Sequence, residues 1–169
     1  MNTGQMLLTG AAVVLLGVTV LTVNRSFNSQ GVVLEQTEIG VYATSLATSM
    51  VDEASSQAFD QATVDNAVTG ASSLTKDSKR GPELGETTTP PTTTKFNDFD
   101  DYHGLKMGIK VAGVDSFTVN CQVYYIDPSA PNINLGTQSF FKRLDVQVWS
   151  QTSTDTVRMS YIFSYIMFR

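Results

Sequence analysis

The first 24 residues of the chain contain no ionisable side chain, and residues 5–23 are mostly apolar. As a helix, residues 5–23 extend roughly 28 Å at ~1.5 Å per residue, which is close to the ~30 Å hydrocarbon core of a bilayer. Neither Lys nor Arg precedes this segment, and its end, VTVLTVNRSF, offers no small-residue cleavage site, so it differs from a cleaved secretory signal. We therefore expect a retained helix that can cross a membrane.

Glycine and threonine recur within the apolar segment, at Thr9, Gly10, Gly17, Thr19 and Thr22 among others. Small residues on a helix surface let the backbone of another helix approach closely, whereas contact with lipid alone needs nothing but large apolar side chains. Gly10 and Gly17 are seven positions apart, so they lie on one face of a helix. We expect this face to pack against another helix, and an ordinary single-pass anchor with incidental glycines is the alternative.

Residues 29–80 are expected to continue the apolar helix of residues 1–28 in amphipathic form. No proline interrupts residues 32–68, and acidic and amide side chains occupy the face opposite the apolar one. Gly70 and the polar cluster that leads to Pro82 predict where the helix ends. The apolar positions recur mostly every three or four residues, at Val32, Ile39, Tyr42, Leu46, Met50, Ala54, Ala58 and Ala62.

Residues 81–104 are expected to form a linker and loop between the helix and the rest of the chain. The first part, GPELGETTTPPTTTK, is of low complexity and cannot build a core, and its two threonine runs flank a Pro-Pro pair. In a secreted protein such a segment is a candidate for O-glycosylation, and an unmodified surface loop is the alternative. The candidate acceptors are Thr87, Thr88, Thr89, Thr92, Thr93 and Thr94.

The second part of this region, FNDFDDYHG, brings several possible metal ligands together in sequence. Carboxylates at alternating positions can bind calcium, but a calcium loop normally supplies more oxygen ligands and a fixed glycine turn. We therefore favour a solvated acidic turn without a metal, which its aromatic residues Phe96, Phe99 and Tyr102 attach to the domain. The weak candidate ligands are Asp98, Asp100, Asp101 and His103.

From residue 105 to residue 169 the apolar residues alternate with polar ones, which predicts β-strands. Four such runs occur, in LKMGIKV, SFTVNCQVYYI, FKRLDVQVWS and TVRMSYIFSYIMFR, and short connections between them favour an antiparallel meander. The amphipathic helix should cover the apolar face of this sheet, which gives an α+β fold. Cys121 lies at an apolar position of the second run, so it is expected to be a small buried core residue.

Composition and motifs give little support to catalysis or to nucleic-acid binding. The chain has one histidine and none of the GxSxG, P-loop, HExxH and CxxC motifs, so we predict that it is not an enzyme and needs no cofactor. The formal net charge is −5 and no segment is strongly basic, so no nucleic-acid partner is indicated.

An uncharged N-terminal helix that continues as an amphipathic helix and ends in a small antiparallel sheet resembles the architecture of type IV pilins and pseudopilins. The resemblance implies removal of a short leader, N-methylation of the new terminus, and apolar helices that bundle in the core of an extracellular filament. It further implies self-association, a membrane location before assembly, and contact with a prepilin peptidase and the inner-membrane assembly machinery. Pilins usually carry glutamate at the fifth mature position, where this chain has Gln5.

Carried onto this sequence, the resemblance assigns assembly to the first half of the helix. Gln5 keeps the shape of glutamate and can accept a hydrogen bond from Met1 of another copy, but it lacks the charge. An archaellum-like or otherwise divergent pilin fits the same pattern. The residues expected to mediate assembly are Met1, Gln5, Leu8, Gly10, Val14, Gly17 and Leu21.

Two other classes of protein fit the same order of segments. One is a monomeric single-pass protein that presents a helix and a β domain at a cell surface or in an envelope complex. The other is a membrane-inserted viral coat subunit. Self-association into helical fibres distinguishes the filament subunit from the monomeric anchor.

Overall fold

The computed structural model of the protein describes residues 2–165 and has the α+β fold expected from the sequence. A single long helix, α1 (Thr3–Ser55), comes first, and several short 3-10 turns follow it. The strands are β1 (Lys106–Val111), β2 (Asp115–Tyr125), β3 (Phe141–Ser150) and β4 (Thr156–Ser164). The chain divides into two compact units, residues 1–38 and residues 39–169.

The four strands form one antiparallel sheet in the order β1-β2-β3-β4, which confirms the predicted meander. Successive side chains of a strand point to opposite faces, so the alternating sequence buries one face of the two central strands. Cys121 is completely buried among these residues, as predicted. The fully buried set in β2 and β3 includes Val119, Cys121, Val123, Leu144, Val146 and Val148.

The C-terminal part of α1 packs on the buried face of the sheet, as predicted. The buried stripe is rotated relative to the predicted one, because Tyr42 is 37% exposed and Leu46 is only partly buried. Val32 lies in the exposed part of the helix. Small side chains on the buried face let the helix approach the sheet closely. The buried residues of α1 are Ile39, Ala43, Ala47, Met50, Val51 and Ala54.

Helix α1 ends at Ser55, so the prediction that the helix continues over residues 56–80 is wrong. Ala58, expected on the apolar stripe, instead pairs with the segment before β1, where the backbone N–H of Phe99 donates to its carbonyl oxygen at 2.9 Å. Two residues later, Asp60 turns its carboxylate into the core. These tertiary hydrogen bonds replace the helical ones that the local sequence would otherwise favour.

Three aromatic residues attach the segment before β1 to the domain, as predicted. Phe96, Phe99 and Tyr102 are all buried. The rings of Phe96 and Tyr102 meet edge to face at a centroid distance of 5.1 Å, and the ring of Phe99 meets that of Phe163 in β4 at 5.2 Å. The segment is therefore part of the core.

Strand β4 follows the predicted alternation up to Ser164. Tyr161 and Phe163 pack against the core, whereas Ile162 on the other face is 47% exposed. The sequence predicts that this strand extends to residue 169, and residues 166–169 lie outside the described part of the chain.

Candidate functional site

The N-terminal part of α1 is exposed on all sides, and over residues 5–23 its surface is mostly apolar. Every described residue from 2 to 38 is exposed, and large apolar side chains such as Leu7 and Leu15 are 74% and 68% exposed. By length and composition, this part of the helix could cross a membrane. It has no buried face within its own unit.

The predicted assembly residues fall on two faces of this helix. Gly10, Val14, Gly17 and Leu21 follow one another at spacings of four, three and four, so they form one stripe along α1. Gln5 and Leu8 lie on the opposite side, because each residue turns the helix by about 100°. Met1 lies outside the described residues.

The hydroxyl groups of this apolar segment are satisfied within the helix. Thr9 donates to the carbonyl oxygen of Gln5 at 3.0 Å, and Thr19 donates to that of Leu15 at 2.8 Å. Thr22 makes the same bond four residues back. The side chains therefore expose methyl groups and not free hydroxyls, which suits apolar surroundings.

The threonine and proline segment is an ordered loop on the surface of the second unit. The hydroxyl of Thr88 lies 3.0 Å from that of Thr92, which lies 3.0 Å from that of Thr94. Thr87 and Thr89 are exposed, whereas Thr93 is half-buried. O-glycosylation of these six threonines stays a prediction, and the exposed Thr87, Thr89 and Thr94 are the most accessible of them.

The acidic turn is buried, so the prediction of a solvated turn is wrong. Asp98, Asp100 and Asp101 are each at most 1% exposed. The aromatic residues of the same segment draw it into the core, and backbone N–H groups bond to one oxygen each of Asp98 and Asp101. Asp98 Oδ1, for example, accepts the N–H of Asp100 at 2.6 Å.

The structure gives the predicted metal ligands separate partners. His103 does not join the aspartates, because its Nδ1 accepts the backbone N–H of Val123 at 3.2 Å. Burial and the nearby charge of Arg80 lower the pKa of His103, so it is neutral near pH 7. Asp101 Oδ2 accepts the backbone N–H of Asn97 at 2.8 Å, and Asp100 faces a lysine.

That lysine is Lys142 in β3, which points into the core and is completely buried. Its Nζ lies 2.7 Å from Asp60 Oδ2 and 2.7 Å from Asp100 Oδ2. It also donates to the carbonyl oxygen of Phe59 at 2.8 Å. The rings of Phe59 and Tyr125 flank the ammonium group, with centroids 4.5 Å and 5.0 Å from Nζ. We call Lys142, Asp60 and Asp100 the buried triad.

The two carboxyl groups of the buried triad are not equivalent. Asp60 accepts the backbone N–H and the hydroxyl of Thr75 at 3.0 and 2.9 Å, and the hydroxyl of Tyr125 at 2.9 Å. Within the part of the chain that the structure describes, neither oxygen of Asp100 accepts a hydrogen bond of good geometry. Lys142 therefore bonds well to Asp60, whereas it approaches Asp100 closely without a well-directed bond.

This difference separates the pKa values of the two carboxyl groups. Burial acts to raise the pKa of Asp60, but the charge and hydrogen bond of Lys142, helped by backbone N–H groups, lower it to about 2. Burial raises the pKa of Asp100 to about 7 despite the neighbouring Lys142. Asp60 is thus the stronger acid of the two, and Asp100 binds a proton more readily than Asp60 does.

A second set of carboxyl groups joins two half-buried glutamates to the buried Asp101. Glu83, Glu86 and Asp101 place one oxygen each within 4.8 Å of one another. Oxygen ligands of this kind suit Ca²⁺ or Mg²⁺. Burial, a hydrogen bond with Glu86 and the charge of Asp101 raise the pKa of Glu83 to about 7. The cluster can therefore hold a hard cation or a shared proton.

Sequence reasoning missed the buried triad, although one signal was available. Lys142 lies an even number of positions before Leu144, Val146 and Val148. Because side chains two apart in a strand point to the same face, the sequence already places Lys142 on the buried face. Asp60 gave no such signal, because it is 82 positions away from Lys142 in the sequence and only the fold brings the two together.

Comparison of the chain with protein-family models, with curated proteins and with solved structures finds no match.

Proposed function

We propose that the protein is a structural subunit of an extracellular, type IV pilus-like filament and that it assembles through the N-terminal part of α1. In this proposal the segment is stored across a membrane and then exchanges lipid for the same segment of other copies. One observation carries the proposal. Every described residue from 2 to 38 is exposed, and this exposed surface includes residues 5–23, most of which are apolar.

Such a surface is not stable in water. Burial of one leucine or valine side chain contributes about 1.5–3 kcal/mol, and soluble monomers rarely expose apolar patches of more than a few hundred Å². The exposed set includes Leu7, Leu8, Val13, Val14, Leu15, Leu16, Val18, Val20 and Leu21. Lipid or other apolar helices must cover these side chains.

The helix is suited to both environments. Its backbone groups are bonded within the segment, as a lipid environment requires, and its threonine hydroxyls bond to carbonyl oxygens one turn back. The stripe of Gly10, Val14, Gly17 and Leu21 adds two positions where a second backbone can approach closely. These features support helix-to-helix contact more specifically than they support a simple anchor.

The resemblance to pilins supplies the remaining roles in the proposal. Gln5 would accept a hydrogen bond from the N-terminal amine of Met1 in a neighbouring copy. A prepilin peptidase and an inner-membrane assembly machinery would process and assemble the subunit. Mass spectrometry of the mature N-terminus should then find an N-methyl group on Met1.

Electron microscopy of the full-length protein tests the proposal directly. Negative-stain images after removal of detergent should contain helical fibres of uniform diameter. Deletion of residues 1–28 removes no buried side chain among the described residues, so this variant should fold and remain monomeric. Full-length protein that stays monomeric in detergent and forms no fibres on cells would refute the proposal.

Substitution of the helix glycines tests where the subunits meet. A side chain at Gly10 or Gly17 meets no atom of residues 2–165 within 4 Å, so Gly10→Leu and Gly17→Leu should not disturb the monomer. Both variants should insert into membranes normally and assemble poorly. Gly31→Leu is the matched control, because Gly31 is equally open but lies outside the uncharged segment. Equal assembly of all three variants and the parent would contradict close packing at the stripe.

A further inference from the structure

The buried triad has the arrangement of a condensation site. Lys142 Nζ, a nucleophile once it loses a proton, lies 2.7 Å from one oxygen of each of two carboxyl groups. All three side chains are at most 1% exposed. A simple buried ion pair needs one carboxyl group for one amine, whereas here two carboxyl groups face the amine.

We propose that Lys142 and Asp100 become joined by an intramolecular amide bond between Nζ and Cγ, with Asp60 as the general base. The proposal assigns different roles to the two aspartates because their surroundings differ. Asp60 is held as an anion by Thr75, Tyr125 and Lys142. Among the described residues Asp100 has no such donors, and it presents its carboxyl group to Nζ.

The reaction balances without any further reagent. The ammonium of Lys142 gives one proton to Asp60 Oδ2, and rotation about the Cε–Nζ bond turns the free lone pair toward Cγ of the protonated Asp100. The C–N bond forms, the amine passes a second proton to the departing hydroxyl, and the C–O bond breaks with release of water. Lys142 becomes a secondary amide and no longer carries the charge that lowers the pKa of Asp60, so the buried Asp60 keeps its proton. Nothing is oxidised or reduced.

The surroundings of the triad favour this step. The rings of Phe59 and Tyr125 lie against Nζ, and the site is closed to solvent. Burial favours the neutral, protonated form of Asp100, which is the form that can lose its hydroxyl as water. In well-oriented intramolecular reactions, fixed proximity of the two groups is equivalent to an effective concentration on the order of 10⁵ M. The fold itself therefore supplies what an external catalyst would otherwise provide.

Peptide mapping of the full-length protein tests the proposal. Trypsin does not cleave after an amidated lysine, so digestion should yield peptide 96–106 joined to peptide 111–143 with the loss of one water. Fragmentation should place the link at Asp100. Separate, unmodified peptides 96–106 and 111–142 from folded protein would overturn the proposal and leave an ion pair only. A link from Lys142 to peptide 26–76 would overturn the assignment, because that peptide contains Asp60.

The role of Asp60 has its own readout, the rate at which the linked peptides appear after refolding. Asp60→Asn should slow this rate on the order of 100-fold, the typical contribution of one positioned base. Asp145→Asn is the matched control, because Asp145 also pairs with a basic residue of β3 but lies outside the triad. Protection of Cys121 from alkylation verifies that each variant is folded. An unchanged rate in folded Asp60→Asn would overturn the role of Asp60.

Discussion

Replacement of Asp98 by asparagine should stabilise the protein at alkaline pH and weaken the dependence of its stability on pH. Asp98 is completely buried, and its Oδ1 accepts the backbone N–H groups of Asp100 and Asp101 at 2.6 and 3.3 Å. Burial, and then the charges of Asp100 and Asp101, raise the pKa of Asp98 from 3.8 to about 8. Asparagine keeps an acceptor oxygen of the same shape and carries no charge.

The sign and size of the effect follow from this pKa. A carboxyl group whose pKa is higher in the folded state binds its proton more tightly there, so its contribution favours folding at low pH and is lost as the pH rises toward 8. Between pH 6 and pH 8.5 this group alone should lower the free energy of unfolding by about 2.5 kcal/mol, because the slope of ~1.4 kcal/mol per pH unit flattens as the pH passes the pKa of about 8. Glu83, with a pKa raised to about 7, adds to the same trend in parent and variant alike.

Urea unfolding of the full-length protein in detergent measures this difference. Trp149, the single tryptophan, lies in β3 and reports on the sheet by fluorescence. The free energy of unfolding should fall less steeply with pH in Asp98→Asn than in the parent, by about 2.5 kcal/mol over this range. Asp155→Asn is the control, because Asp155 is exposed and its substitution should leave the slope unchanged. Equal slopes for parent and Asp98→Asn would refute the reasoning.

Two further predictions concern the core of the sheet. Leu144→Ala should lower the free energy of unfolding by about 2–5 kcal/mol, because Leu144 is completely buried, whereas Ile133→Ala, at a side chain 64% exposed, should change it by less than about 0.5 kcal/mol. Urea titration measures both, and similar effects at the two sites would contradict the position of the core. Burial raises the pKa of the Cys121 thiol to about 12, so iodoacetamide at pH 8 should label it in urea and leave it unlabelled in the folded protein. Equal labelling rates in the two conditions would place Cys121 at the surface.

The sheet could be predicted because its strands obey a local rule. Alternation in LDVQVWS determines which side chains face inward, and the short connections leave little choice but antiparallel neighbours. The apolar character of residues 5–23 is equally local. Neither prediction depends on which residues meet across the fold.

The end of α1 and the buried triad depend on long-range contacts, so sequence reasoning could not locate them. Residues 56–68 keep a composition that a helix tolerates, and only the pairing of Ala58 with Phe99 and the burial of Asp60 draw them away from it. The acidic turn was interpreted as solvated for a similar reason. Its carboxyl groups are balanced in the core by Lys142 and by backbone N–H groups that no local pattern identifies.

The internal bonding of Thr9, Thr19 and Thr22 has a consequence for how the N-terminal helix changes surroundings. Because no hydroxyl has to exchange one bonding partner for another, moving this segment between lipid and protein alters contact shape but not polarity. Fluid acyl chains fill any gap on the helix surface, whereas a second helix must have a complementary shape. The balance between the two states should therefore respond to protein concentration and to competing detergent, and only weakly to pH or salt.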